Sequence, residues 1–210
     1  RPIYYGTTVS SETYHGLEGY FQLEGLMFRI VPREGSRQWG IGGVSTTTMY
    51  NNVMGKYRFR SINNPNVYID ENKTRIISNY RSIFGRLANA LIDEGKKDSA
   101  LTVLNKCMEV IPHSTVPLNY FATMLIEGYY RADNSTKAVE YSTILMNQCV
   151  EQLNFILLHA KKQDQQWLYG DLQINMAILQ ELYKMADKYE KGDHLKKVST
   201  EFERFISMLQ

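Results

Sequence analysis

The sequence predicts a mainly α fold, helical hairpins repeated as an α-solenoid behind a small N-terminal segment that contains short strands, and three observations carry that prediction. Between Tyr80 and Pro112, Phe84, Leu87, Ala88 and Leu91 fall at helical spacing, Gly95 interrupts, and Ala100 and Leu104 resume the spacing. The same pattern recurs 38 residues on, with Leu125, Tyr129 and Ala138 standing where Leu87, Leu91 and Ala100 stood. Residues 1–43 differ in character, being aromatic and β-branched clusters separated by Gly, Pro, Ser and Thr.

In chain order, Arg1–Tyr5 and Leu26–Val31 read as strands, Glu12–Phe21 as a helical turn, and Gly35–Gly43, with Trp39 and four glycines, as a loop. Two strands alone are marginal in water, so this segment must pack on helices or on upstream sequence. Thr46–Tyr57 is predicted helical behind a Ser45 N-cap, and Asn63-Asn-Pro-Asn66 breaks the chain. Helices are then expected near 74–94, 98–110, 116–132, 135–162, 166–190 and 193–209, with Gly192 closing the fifth and Asp193 capping the sixth. The resulting organisation is an N-terminal segment over 1–72 and a helical domain over 73–210. Its repeats lie at about 81–112 and 119–150, and capping helices span 166–209.

The repeat has the spacing of the tetratricopeptide (TPR) pattern, in which small residues let two antiparallel helices approach and large ones interlock. Ala88 and Ala100 are the small contacts, and Gly95 is the left-handed residue that ends the first helix. A TPR period is about 34 residues, so the extra residues belong in the connection from His113 to Asn119. The second copy is degenerate, with Asp133 in place of Gly95 and Ser142 in place of Leu104.

Composition excludes little. The chain has 24 basic and 22 acidic residues, a net charge of +2, so no overall basicity argues for nucleic acid. Lys96-Lys97, Lys161-Lys162 and Lys196-Lys197 are expected near helix ends, where cations suit the dipole. Cys107 and Cys149 each sit among apolar helical neighbours and read as buried packing residues. No apolar run approaches the roughly 18 residues a membrane helix needs, and no signal-peptide pattern opens the chain. It begins at Arg1, as expected of a piece of something longer.

Arg1-Pro-Ile-Tyr-Tyr5, the run from Leu17 to Pro32, Met49-Tyr-Asn-Asn52 and Val67-Tyr-Ile-Asp-Glu71 carry a second resemblance. Their order resembles the soluble C-terminal region of a family of large bacterial membrane proteins whose N-terminal part is similar to protein O-mannosyltransferases. The resemblance implies a domain on the periplasmic face of the inner membrane, associated with the membrane only through upstream sequence. The sugar-transfer carboxylates it implies belong to the membrane part, so none carries over. Ser45-Thr-Thr-Thr48 departs from the acidic residues that this resemblance leads one to expect before the Met-Tyr pair.

Enzyme motifs mostly fail. Gly40-Ile-Gly42-Gly43 lacks the third glycine of a dinucleotide fingerprint, Gly55-Lys56 lacks the rest of a phosphate loop, and the four histidines show no zinc-ligand spacing. No catalytic residue, metal or cofactor is assigned. Glu12, Glu18, Glu24, Asp70 and Glu71 are the carboxylates available to a glycosidase-like pair, and solvated surface acids are the better reading. Asn72-Lys-Thr74 and Asn134-Ser-Thr136 are short glycosylation matches, and Asp98-Ser99-Ala100 reads as helix capping by Asp98.

A candidate binding face follows from the repeat register. Tyr120, Met124, Glu127, Tyr130 and Arg131 fall at helical spacing on the face such a repeat turns toward its groove, and Ser82, Arg86, Asn89 and Asp93 do so one repeat earlier. Asn and Arg there suit an extended peptide's backbone or a carboxylate, and Tyr supplies an amphipathic contact. The bland reading is a solvated face, or one covered by the N-terminal segment. The expected function is a non-catalytic TPR-like interaction module, its partner a protein or peptide segment from another protein or from its own chain. The alternatives are an accessory acceptor- or glycan-binding domain of a membrane glycosyltransferase, and a hydrolase using the N-terminal carboxylates.

Overall fold

The computed structural model describes residues 1–35, 38–159, 166–190 and 192–209. The expected end, at 160–162 with Lys161-Lys162, of the helix over 135–162 and positions 36–37 of the glycine-rich loop lie outside them. The fold is mainly helical with a small N-terminal sheet, and the chain forms two compact units, Arg1–Pro117 and Leu118–Gln210.

In the first unit β1 (Tyr4–Gly6), β2 (Phe21–Leu23), β3 (Met27–Ile30) and β4 (Gly43–Val44) form one sheet in the order β1-β3-β2-β4. β3 pairs antiparallel with both β1 and β2, whereas β4 runs parallel to β2. The rings of Tyr5, Tyr14, Phe21 and Phe28 pack together, with centroids 5.0–5.9 Å apart, and this cluster gives so short a sheet its core. β2 and β4 were not expected: three residues around a Gln and a Gly-Val pair hold no strand signal of their own, and pairing supplies it.

α1 (Thr46–Tyr50) runs into a π-helical turn over Asn51–Lys56, so the single helix expected there changes winding half-way. Ser45 does not cap the α1 backbone; its hydroxyl pairs with that of Thr48 at 3.0 Å. α2 (Glu71–Asp93) starts earlier than expected because the Asp70 carboxylate accepts the Lys73 N–H at 2.9 Å and acts as N-cap. α2 and α3 (Lys97–Val110) form the first hairpin, in which Leu87, Ala88, Ala100 and Leu104 are fully buried. Asp98 lies inside the first turn of α3 and makes no cap bond, a correction to its expected role, though its charge still suits the helix N-terminus.

The second unit holds α4 (Ala122–Arg131), α5 (Ser135–His159), α6 (Gln166–Tyr189) and α7 (Asp193–Leu209). α4 and α5 repeat the hairpin, burying Ala122, Leu125, Tyr129 and Ala138. Both hairpins turn in the same way. Gly95 N–H donates to Ile92 O and Lys96 N–H to Leu91 O; Asp133 N–H donates to Tyr130 O and Asn134 N–H to Tyr129 O. Gly95 and Asp133 are both left-handed, at φ 77° and 60°, so each first helix ends in a Schellman motif at equivalent positions. Asn134 then caps α5 through its side chain, accepting the Lys137 N–H at 3.2 Å. Asp193 opens α7 as its first residue instead of capping it, and the Gly192 carbonyl accepts the Lys196 N–H.

α4 begins six residues later than expected because the preceding connection turns inward. Ile111 and Val116 are wholly buried there, and buried carbonyls need donors. Arg81 of α2, itself fully buried, supplies them: its guanidinium donates to the carbonyls of Pro117 at 2.5 Å, of Ile111 at 3.2 Å, and of Val116. The boundary between the two compact units falls at Pro117, and the N-terminal segment, fastened to α2, belongs to the first of them.

Candidate functional site

On the face of α2 that carries the sequence-predicted positions Ser82, Arg86, Asn89 and Asp93, the chain's own segment from Trp39 to Thr46 is bonded to Arg86 and Asp93, of which Asp93 stays exposed. Arg86 Nη2 donates to the carbonyls of Ile41 at 2.6 Å and Gly42 at 3.0 Å, and its guanidinium carbon stands 5.7 Å from the centre of the Phe28 ring. Two turns along the helix the Trp39 indole N–H donates to Asp93 Oδ2 at 2.6 Å, and the Thr46 hydroxyl donates to Glu94 Oε1 at 2.7 Å. Asn89 is wholly buried and donates to Gly85 O within α2, while Ser82 is half-buried.

The glycines explain why this segment fits. A Cβ on Gly42 would lie 2.6 Å from Phe21 O, and the residue sits at φ 74°, so only glycine allows the loop to pass between β2 and Arg86. Burial pushes the Arg86 guanidinium down to about 10, still well above neutrality, so a charged donor meets two carbonyls in a desolvated site. Arg81 is in the same condition, pushed down to about 10 by burial. α2 therefore carries two buried arginines, each donating to backbone carbonyls through its terminal nitrogens while its Nε stays buried without a partner, and each fixing a different piece of chain.

In the second unit the expected face is partly closed as well. The Tyr130 ring stacks on Tyr189 of α6 with centroids 5.0 Å apart and planes 8° from parallel, and only 4% of Tyr130 is exposed. Desolvation, with the charge of Glu190, raises its hydroxyl pKa, so it stays protonated. Glu127 is 3.9 Å from the Lys188 ammonium. Tyr120 is exposed, and Met124 and Arg131 are half-buried. Arg86, Asn89 and Tyr130, placed by the sequence on the candidate groove face, are buried in this conformation.

The other chemistry-bearing groups are committed elsewhere. Glu24 is met by Gln22 at 2.9 Å and by Arg29 at 3.6 Å, and Asp70 caps α2. Cys107 and Cys149 are buried free thiols, both pushed up to about 12 by desolvation, which makes them poor nucleophiles at neutral pH. Among the described residues no three His, Cys, Asp or Glu side chains come together as a metal site would need, and no helix is long and apolar enough to cross a membrane.

The register of α2 pointed to the face around Arg86. It did not identify the occupant, nor Arg81, whose role depends on a connection folded inward thirty or more residues away. Trp39 within a run of glycines was the available signal, since a lone indole in a loop that includes Gly40, Gly42 and Gly43 must be anchored by something. No family model, curated protein or solved structure matches the chain.

Proposed function

We propose that this chain is a non-catalytic, TPR-like interaction module whose α2 face holds a protein segment, and that residues 39–46, a turn leading through β4 into α1, are that segment in this conformation. The observation that carries the reading is the Arg86 fork on two successive main-chain carbonyls, Ile41 and Gly42. Bonds to main chain recognise a segment largely without regard to its side chains, and the indole of Trp39 on Asp93 adds the side-chain selection. The repeated hairpin and its two Schellman turns support the TPR-like reading. The resemblance to the C-terminal region of a membrane protein family supports a place on the periplasmic face of the inner membrane, attached through upstream sequence.

Substitution of Gly42 by Ala tests this, because the added Cβ displaces the resident segment and leaves Arg86 without its ligand. A labelled peptide spanning residues 38–46 is expected to bind the Gly42→Ala chain, and to bind neither the wild type nor a Gly42→Ala, Arg86→Ala double variant. Equal binding to all three chains would remove the α2 face from consideration.

A further inference from the structure

The segment resting on α2 meets that face with some of its atoms and not with others, and the difference defines what the face accepts. Trp39–Gly42 is a bend, which turns the carbonyls of Ile41 and Gly42 toward the Arg86 guanidinium at 2.6 and 3.0 Å. Both glycines of the bend have a positive φ, 108° at Gly40 and 74° at Gly42, where any side chain is strained. At Gly42 the space is closed as well, since an added Cβ would lie 2.6 Å from Phe21 O and 2.7 Å from Phe21 Cβ, both in β2.

The two side chains of the bend differ in what they meet. Trp39 is half-buried and its indole N–H donates to Asp93 Oδ2 at 2.6 Å. Ile41 is 41% exposed, and what it lends the face is its carbonyl. After the bend, Gly43–Val44 joins β2 as a parallel strand, and Ser45 N–H donates to Leu23 O at 3.0 Å. That pairing is main chain to main chain and does not depend on which side chains the strand carries.

We propose that the α2 face is specific for protein segments of the form Trp-Gly-x-Gly followed by a short strand, where x is any residue, and that a partner protein carrying that sequence competes with residues 39–46 for it. This rests on the reading of α2 as a segment-binding face and adds the chemical class of the segment. Each position has its own cause. The indole supplies a donor for Asp93, the first glycine allows the backbone angle, and the second allows both the angle and the approach to Phe21. The third position is free because Arg86 takes its carbonyl and leaves its side chain in solvent. Selection thus comes as much from what β2 excludes as from what α2 bonds.

The test is competition between the labelled peptide of residues 38–46 and unlabelled variants of it for the full 210-residue Gly42→Ala chain, read by fluorescence anisotropy. An Ile41→Thr peptide is expected to bind within about twofold of the parent. A Trp39→Phe peptide should be weaker by about fivefold or more, and Gly40→Ala and Gly42→Ala peptides by about tenfold or more. If Ile41→Thr weakens binding as much as Trp39→Phe does, or if either alanine peptide binds like the parent, the specificity is overturned while the α2 face remains a segment-binding site. Absence of binding by the parent peptide to a folded Gly42→Ala chain overturns both. Should that chain not fold, the substitutions are made singly in the otherwise unaltered chain and hydrogen exchange over residues 39–46 is measured. Ile41→Thr is expected to leave it unchanged and Trp39→Phe and Gly40→Ala to quicken it by about fivefold or more; equal protection in all three would overturn the proposal.

Discussion

Two polar residues buried in α2 and α5 govern more than their own packing. Arg81 is wholly buried and serves three carbonyls of the connection between α3 and α4, so Arg81→Met leaves three acceptors without a donor. Orphaned buried acceptors cost about 1–3 kcal/mol each and the lost desolvation of the cation offsets part, giving an expected net loss of about 3 kcal/mol in urea unfolding. A loss below about 0.5 kcal/mol would mean that water satisfies the connection. Ser142 occupies the place of Leu104 and lies 2.9 Å from Nε2 of His194 on α7. Burial holds the His194 imidazole below its usual 6.5, against the attraction of Glu190 and in the same direction as the charge of Lys197. Below that value the unfolded chain binds the proton and the folded one resists it. Stability is therefore full above pH 6.5 and falls as pH drops toward the depressed native value. His194→Gln should flatten that part of a pH series of urea midpoints, and an unchanged slope would assign it to other groups.

Among the elements, the hairpins were legible in sequence because their signals are local. Ala88, Leu91, Gly95 and Ala100 specify two helices, a close approach and a left-handed turn within twenty residues. At Gly95 no atom lies within 4 Å of an added Cβ, so Gly95→Ala should cost only the conformational term, about 1 kcal/mol, by thermal or urea unfolding. A larger loss would mean the turn is packed against something. Ala100 is wholly buried at the helix contact, and Ala100→Leu is expected to overpack it by about 1–3 kcal/mol. Exposed Glu109, whose partner is Lys106, should tolerate Ala with a change inside about 0.5 kcal/mol. Similar effects at the two positions would contradict the repeat register. Strand β4 and the late start of α4 were illegible because each depends on a partner far away in sequence, Gln22–Leu23 for β4 and Arg81 for the connection, whereas β2 pairs locally with Met27–Ile30 and was missed because three residues around a Gln carry no strand signal of their own.

Over the whole molecule, the division at Pro117 follows from α2, which binds the segment before it through Arg86 and the connection after it through Arg81. Sequence periodicity placed Arg86 on a candidate face and left open a cover by the N-terminal segment, but not which part of it, because what meets Arg86 is a loop of glycines with no periodic signal. Hydrogen exchange of the Arg86→Ala chain, followed by mass spectrometry, tests most directly whether α2 holds residues 39–46. Exchange over that segment should quicken by about tenfold or more while the α3 amides keep their protection. If residues 39–46 exchange as slowly as in the wild type, Arg86 does not hold them and the α2 face is not a peptide-binding surface.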